Sequence, residues 1–151
     1  MQLVKVSPSF YADCKSNGTE EELLFNEQGR PCVLLLRLKY KGNYRMFVVP
    51  LRSNISKTAP KNQYFALPPN KDTKPGNHHG VHYIKLFPVS KEYVQRYEID
   101  GNKFLLQVSS ILNSNEKTIV DACQRYLEEC EKGNKHPMTP DIDGILKWLH
   151  E

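Results

Sequence analysis

The sequence predicts an α+β domain: a compact, twisted, mainly antiparallel sheet with C-terminal helices packed at one side of it. Three observations predict it. Alternating or densely aliphatic runs fill roughly the first 90 residues, and helical periodicity is confined to roughly the last 50. The longest unbroken aliphatic run is Val33-Leu34-Leu35-Leu36, far short of the roughly 20 apolar residues of a membrane span. The 151 residues suit one domain, 1–151. The start, MQLVKVSPSFYADCK, lacks the apolar stretch of a signal peptide, so a cytoplasmic location is expected.

The elements follow in order. MQLVKV alternates and reads as the first strand. Ser7-Pro8 opens a short helix ending near Lys15, because proline suits a first helical turn. Residues 16–30 are polar and read as loop, with one turn around 21–25. CVLLLRLKY and YRMFVVPL, joined at Lys41-Gly42-Asn43, form a hairpin. Pro50 is expected where the second strand leaves the sheet, since proline cannot donate to a ladder. Residues 52–81 hold several prolines and glycines with little periodicity and read as a long loop, either functional or disordered. VHYIKLFPV, 81–89, reads as another strand. Asp100-Gly101-Asn102 suits a hairpin turn or the break before a helix starting at Lys103; Leu105, Val108, Ile111 and Leu112 share a helical face and favour the helix. From 115 to 132, Ile119, Ala122, Cys123, Tyr126, Leu127 and Cys130 follow helical spacing, and Gly133 ends it. The last helix is expected to start at Thr139 as N-cap with Pro140 next, burying Ile142, Ile145, Leu146 and Leu149.

Charge is unevenly placed. Residues 37–91 hold eleven lysines and arginines against one acid, Asp72, a net +10, and the rest of the chain is −6. The same stretch is rich in tyrosine, phenylalanine and histidine. Cations neutralise phosphates and flat rings stack on unpaired bases, so the pattern suits single-stranded nucleic acid. The RNA-binding set expected is Arg37, Lys39, Lys41, Tyr44, Arg45, Lys61, Tyr64, Lys71, Lys74 and His78. The plainer alternative is a solvated basic face over core aromatics.

Four cysteines, at 14, 32, 123 and 130, form no CxxC pair, which argues against ribbon zinc and thioredoxin-like sites; they read as small buried residues. Two segments carry chemistry. In PLRSNISK, 50–57, a strand end is expected to present Arg52, Ser53 and Lys57 to a phosphate. Ser53 lacks a GxSxG setting, so a hydrolase elbow is not supported. In GNHHGVHYIK, 76–85, three histidines have no neighbouring carboxylate or cysteine and no HExxH, so no metal and no cofactor are expected. RNA cleavage without metal needs a base for the 2′-hydroxyl, an acid for the leaving oxygen and cations for the pentacoordinate phosphate. His79, His82, Arg52, Lys57 and Lys85 supply such a set, with Tyr11, Lys57 and Lys85 as further proton carriers. If the strand from 82 is regular, His82 and Lys85 point to opposite faces.

These residues carry a resemblance. The aromatic pair Phe10-Tyr11, the aliphatic hairpin ending in VVPLRSNISK and the following HHGVHYIKLFPVS are together similar to the ToxN/AbiQ family of type III toxin–antitoxin endoribonucleases, most of all its CptN-type branch. The likeness covers most of the chain. In the C-terminal helices it is one of pattern only. Arg52 stands where members often carry threonine. The resemblance implies a MazF/Kid-like sheet and a cytoplasmic, metal-independent endoribonuclease with Ser53 at the scissile phosphate. It implies cleavage by 2′-OH attack to 2′,3′-cyclic phosphate and 5′-OH ends. The partner implied is an RNA antitoxin of tandem pseudoknot repeats, which the toxin processes and which closes with it into a ring-like heteromer; cellular mRNA is the substrate. A non-catalytic single-stranded RNA-binding module is the alternative.

Overall fold

The computed structural model describes residues 1–24 and 33–150. Seven strands and four helices follow in order: β1 Gln2–Val6, α1 Pro8–Ser16, β2 Val33–Tyr40, β3 Asn43–Ile55, β4 Tyr64–Leu67, β5 His78–His82, β6 Phe87–Pro88, β7 Val94–Arg96, α2 Lys103–Ser114, α3 Glu116–Glu131 and α4 Ile142–Trp148. The strands lie in the order β4-β5-β3-β2-β1-β7, with β6 also on β3, and every pairing is antiparallel. The expected α+β class is the one observed.

The hairpin forms at its expected place, with Tyr40 opposite Asn43. Its second strand does not leave the sheet at Pro50. Pro50 is the last β3 residue in register with β2, opposite Val33, and from Leu51 to Ile55 the same strand pairs with β5. The missing N–H thus falls where β3 exchanges partners. Arg52 faces Gly80 but Ile55 faces His78, so β3 carries one extra residue at Ser53-Asn54, a bulge that bends the strand and re-aims its side chains.

Alternation along β3 divides the protein into two cores. Phe47 and Val49, with Leu36, Leu38 and Val81, are buried under Val108 and Leu112 of α2 and Ile119, Cys123 and Leu127 of α3. Val48 on the other face joins Val4, Val6 and Phe87, covered by Phe10 and Cys14 of α1 and Ile145 of α4. Phe10 stacks on Phe87 at 5.4 Å between centroids. Helices therefore cover both faces of the sheet, not one side, because β3 carries apolar side chains on both of its faces, Phe47 and Val49 on one and Val48 on the other.

Three further expectations are corrected. Residues 52–81 contain a strand, β4, whose four residues YFAL are too short and too uniformly apolar to show a period. The stretch 81–89 is not one strand: a 3-10 turn, Tyr83–Lys85, separates β5 from β6. Every residue from 81 to 90 is buried, so no alternation betrays the break. The last helix is capped by Asp141, whose carboxylate accepts from the N–H of Gly144 at 3.0 Å. A β-carbon at 144 would sit 2.2 Å from that carboxylate, so glycine makes this cap possible. Thr139 is buried instead and shares a hydrogen bond with the Tyr126 hydroxyl.

Of the two readings of 90–112, the helix forms. Asn102 caps α2 by accepting from the Leu105 N–H at 3.0 Å. Gly133, at φ +87°, follows the end of α3. Among the described residues no helix is long and apolar enough to cross a membrane. Cys14, Cys123 and Cys130 are free thiols, the first two buried. Cys32 and the part of the expected turn beyond Leu24 lie outside the described residues.

Candidate active site

The strand alternation of β5 puts His78, Gly80 and His82 on one face and His79 and Val81 on the other. Arg52 lies opposite Gly80 and leans to the next residue on that face, placing its Nη1 3.1 Å from Nδ1 of His82. A guanidinium only donates, so Nδ1 accepts and the neutral ring carries its proton on Nε2. His82 is 3% exposed, and its Nε2 has no partner among the described residues. Burial first, and then the positive charges of Arg52, Lys85 and His136, push its pKa down to about 4. The ring is therefore neutral at pH 7 and offers a buried, unused N–H. Burial also lowers the pKa of Arg52, which makes no ion pair among the described residues. A half-buried guanidinium without a counter-ion attracts anions.

Ser53, in the bulge, accepts from Asn70 Nδ2 at 2.8 Å, which leaves its own O–H to donate. The β4–β5 loop is folded onto β3 by Asn54. The Asn54 amide donates to the Asp72 carbonyl at 2.9 Å and accepts from the Lys74 N–H at 2.8 Å. Asn70 is itself fixed by Thr73, whose hydroxyl donates to its Oδ1 at 2.9 Å. Asn54 and Asn70 were not legible as site residues; the Pro-Pro-Asn-x-x-Thr spacing announces only a turn. Lys57 is exposed beyond the strand end, its stem beside Gly76.

Lys85, 3% exposed, donates to the Glu22 carboxylate at 2.8 Å and to the Glu22 carbonyl at 3.2 Å. Glu22 has a left-handed backbone, φ 62°, and Lys85 holds its carboxyl below the usual range. The expected role of Lys85 as an open phosphate ligand is thereby reduced, since it already has an anion. Neither Glu22 nor His136, which acts electrostatically on both His82 and Glu22, was found from sequence; they lie far along the chain in polar loops without a motif. The asymmetry of the pair gives a prediction. Glu22→Ala strands a buried ammonium, whereas Lys85→Met leaves a half-exposed carboxylate that water can solvate. Thermal denaturation should show the larger loss of Tm for Glu22→Ala. A larger loss for Lys85→Met would mean that Glu22 does not compensate the buried charge.

The other expected residues are spread. His79 turns to the opposite face, its Nδ1–H donating to the Pro68 carbonyl at 2.7 Å and its ring 5.9 Å from that of Phe104. His79 and His82 therefore do not converge. Tyr11, on α1, packs edge-on to Phe10 at 5.7 Å and Phe87 at 6.5 Å. Tyr64 and His78 stack at 5.0 Å. Lys61, Lys71 and Lys74 are exposed around β4 and β5 and make no ion pair among the described residues. Arg37, Lys39 and Tyr44 lie toward the hairpin tip, Arg37 5.8 Å over the Tyr44 ring. Lys41 is paired with Asp143 at 3.0 Å, and Arg45 is half-buried on the face away from Tyr44.

No family profile and no curated protein sequence matches the chain. Solved structures match its fold, two of them as follows. One, reported as "A processed non-coding RNA regulates a bacterial antiviral system", has a TM-score of 0.74 at 13% identity and covers 98% of this chain and 96% of its own. Another, reported as "New insights into the mechanism of bacterial Type III toxin-antitoxin systems: selective toxin inhibition by a non-coding RNA pseudoknot", has a TM-score of 0.67 at 14% identity and covers 97% and 94%. The chain thus has, over nearly its whole length, the fold of these two structures, one described as an antiviral system regulated by a non-coding RNA and the other as a type III toxin–antitoxin system inhibited by one.

Proposed function

We propose that this chain is the toxin of a type III toxin–antitoxin system, an endoribonuclease that needs no metal and is held inactive by its own repeat RNA. The observation that carries the reading is the half-buried Arg52, without a counter-ion among the described residues, set against a neutral His82 with a buried unused N–H. Attack of a ribose 2′-hydroxyl on the adjacent phosphate builds negative charge on the non-bridging oxygens. Arg52, His82 Nε2–H and the Ser53 hydroxyl are donors fixed before that charge develops, the arrangement that stabilises it best. As the 2′-oxygen bonds to phosphorus its proton passes to water, the P–O5′ bond breaks, and the 5′-oxygen takes a proton from water, so the products carry 2′,3′-cyclic phosphate and 5′-hydroxyl ends. Exposed Lys57, Lys61, Lys71 and Lys74 draw the polyanion in. The antitoxin proposed is an RNA of pseudoknot repeats, processed by the toxin and closed with it into a ring; freed toxin cuts mRNA in the cytoplasm. The two fold neighbours, described as regulated by non-coding RNA, support this partner class.

Two measurements test the RNA side. Expression of the chain alone should arrest growth, and tandem-repeat RNA encoded beside its gene should relieve the arrest. Log affinity for single-stranded RNA should fall with log salt by about 0.7 per neutralised phosphate, a slope of about −4 for six contacts. A slope near zero would rule out a phosphate-dominated interface.

A further inference from the structure

Tyr64 sits opposite His82 in the β4–β5 register, yet its ring stacks on His78, which lies on the far side of Gly80 along β5. The Tyr64 ring must therefore lean along the strand over Gly80. The floor beneath it is backbone. A β-carbon at Gly80 would come 2.3 Å from the Phe65 carbonyl oxygen, so glycine lets β4 press against β5 and leaves this face open for the rings. Tyr64 is almost fully buried and His78 half-exposed, with 25° between the ring planes. Tyr64 is thus the backing of the stack, and His78 is its accessible ring.

Arg52 faces Gly80 on this same side, and His78 is its diagonal neighbour, roughly 7–8 Å away in Cα position. That span is on the order of one nucleotide of extended single strand. Resting on the proposed ribonuclease reading, we infer that the Tyr64–His78 stack is a nucleobase platform beside the Arg52–His82 phosphate site. A base of single-stranded RNA stacks on the outer face of His78 while its phosphate lies at Arg52. The occupant is single-stranded nucleic acid because the exposed charges on the segments flanking the platform are four cations, Lys57, Lys61, Lys71 and Lys74, against one acid, Asp72. A stacked base needs no particular sequence, so the platform selects an unpaired base, with purines favoured by their larger ring.

The test uses two oligomers of equal length and charge, a deoxyadenosine octamer and an abasic deoxyribose-phosphate octamer. Neither has a 2′-hydroxyl, so the proposed chemistry cannot cleave them. Binding is measured at low salt to wild-type protein, His78→Ala and His78→Phe, each checked for unchanged Tm. His78→Ala should weaken the adenosine octamer by roughly 5- to 100-fold, the worth of one stacked base, and leave the abasic octamer unchanged. His78→Phe should bind both like wild type. Equal weakening of both octamers by His78→Ala would overturn the platform, and so would no weakening of either. If wild-type protein binds neither octamer, the phosphate site fails as well, and the ribonuclease reading fails with it. If the abasic octamer binds but adenosine adds nothing, only the platform fails. Should His78→Ala lower the Tm, His78→Phe against the abasic pair still decides: it must retain the base-dependent gain.

Discussion

On the proposed ribonuclease reading, Arg52→Ala should slow RNA cleavage by about 10²- to 10³-fold while the protein remains folded, the usual cost of removing one preorganised donor from an anionic transition state. Two losses add. The cation leaves the phosphate site, and the His82 ring loses the donor that fixes its tautomer, so Nε2 no longer presents its proton by default. Arg52 has no carboxylate partner among the described residues, so its removal strands no buried anion, and stability should change little. Arg52→Lys should recover only part of the rate, because an ammonium lacks the planar fork that can serve a ring nitrogen and a phosphate at once. Single-turnover rates at saturating protein check this. Arg52→Ala at the wild-type rate would remove Arg52 from the site.

His82→Gln should change the pH dependence of stability as well as the rate. The folded ring titrates at about 4, whereas an unfolded histidine titrates near 6.5. Between those values the unfolded chain holds a proton that the folded chain refuses. The contribution is therefore present above about pH 6.5 and is lost as pH falls toward 4, on the order of 3 kcal/mol in all. Glu22 acts in the same direction but lower: its depressed carboxyl contributes stability above the ordinary carboxylate range and loses it below. Denaturant unfolding at a series of pH values should show a wild-type decline between 6.5 and 4 that is shallower in His82→Gln. Parallel curves would show that burial does not keep His82 neutral. Bound phosphate opposes the nearby cations and should draw the folded value up, so the decline should shrink with a non-cleavable RNA bound.

Much of the fold was legible in local chemistry. The hairpin at Lys41-Gly42-Asn43, the strand MQLVKV and helix α3 each carry a period or a turn dipeptide that tertiary structure had no reason to overrule. The errors fall where burial erases period. Residues 81–90 are buried throughout, so the turn at Tyr83–Lys85 left no mark on the hydrophobic pattern. Pro50 suggests a strand leaving the sheet because it cannot donate to a ladder, whereas β3 continues past it by taking a new partner, which a single sequence does not disclose. Arg52, Ser53 and His82 stand out in the sequence by residue type alone, and the contact of Arg52 with His82 follows from the β3–β5 register. That register also separates His79 from His82, neighbours in the sequence on opposite faces of one strand. Glu22 and Asn70 reach the site across 63 and 17 positions and depend wholly on the fold.

On the proposed reading this face cleaves RNA by attack of the 2′-hydroxyl. Purified protein, in EDTA, is incubated with single-stranded RNA, and the product ends are read by mass spectrometry and by resistance to 3′-ligation before phosphatase treatment. The expected ends are 2′,3′-cyclic phosphate and 5′-hydroxyl, and their formation should stop when the nucleotide 5′ to the cut is replaced by its 2′-deoxy form and fall with Arg52→Ala. RNA that is bound but left intact, or cut with 3′-hydroxyl and 5′-phosphate ends, would contradict it; the first of these results is the one expected of a non-catalytic RNA-binding module.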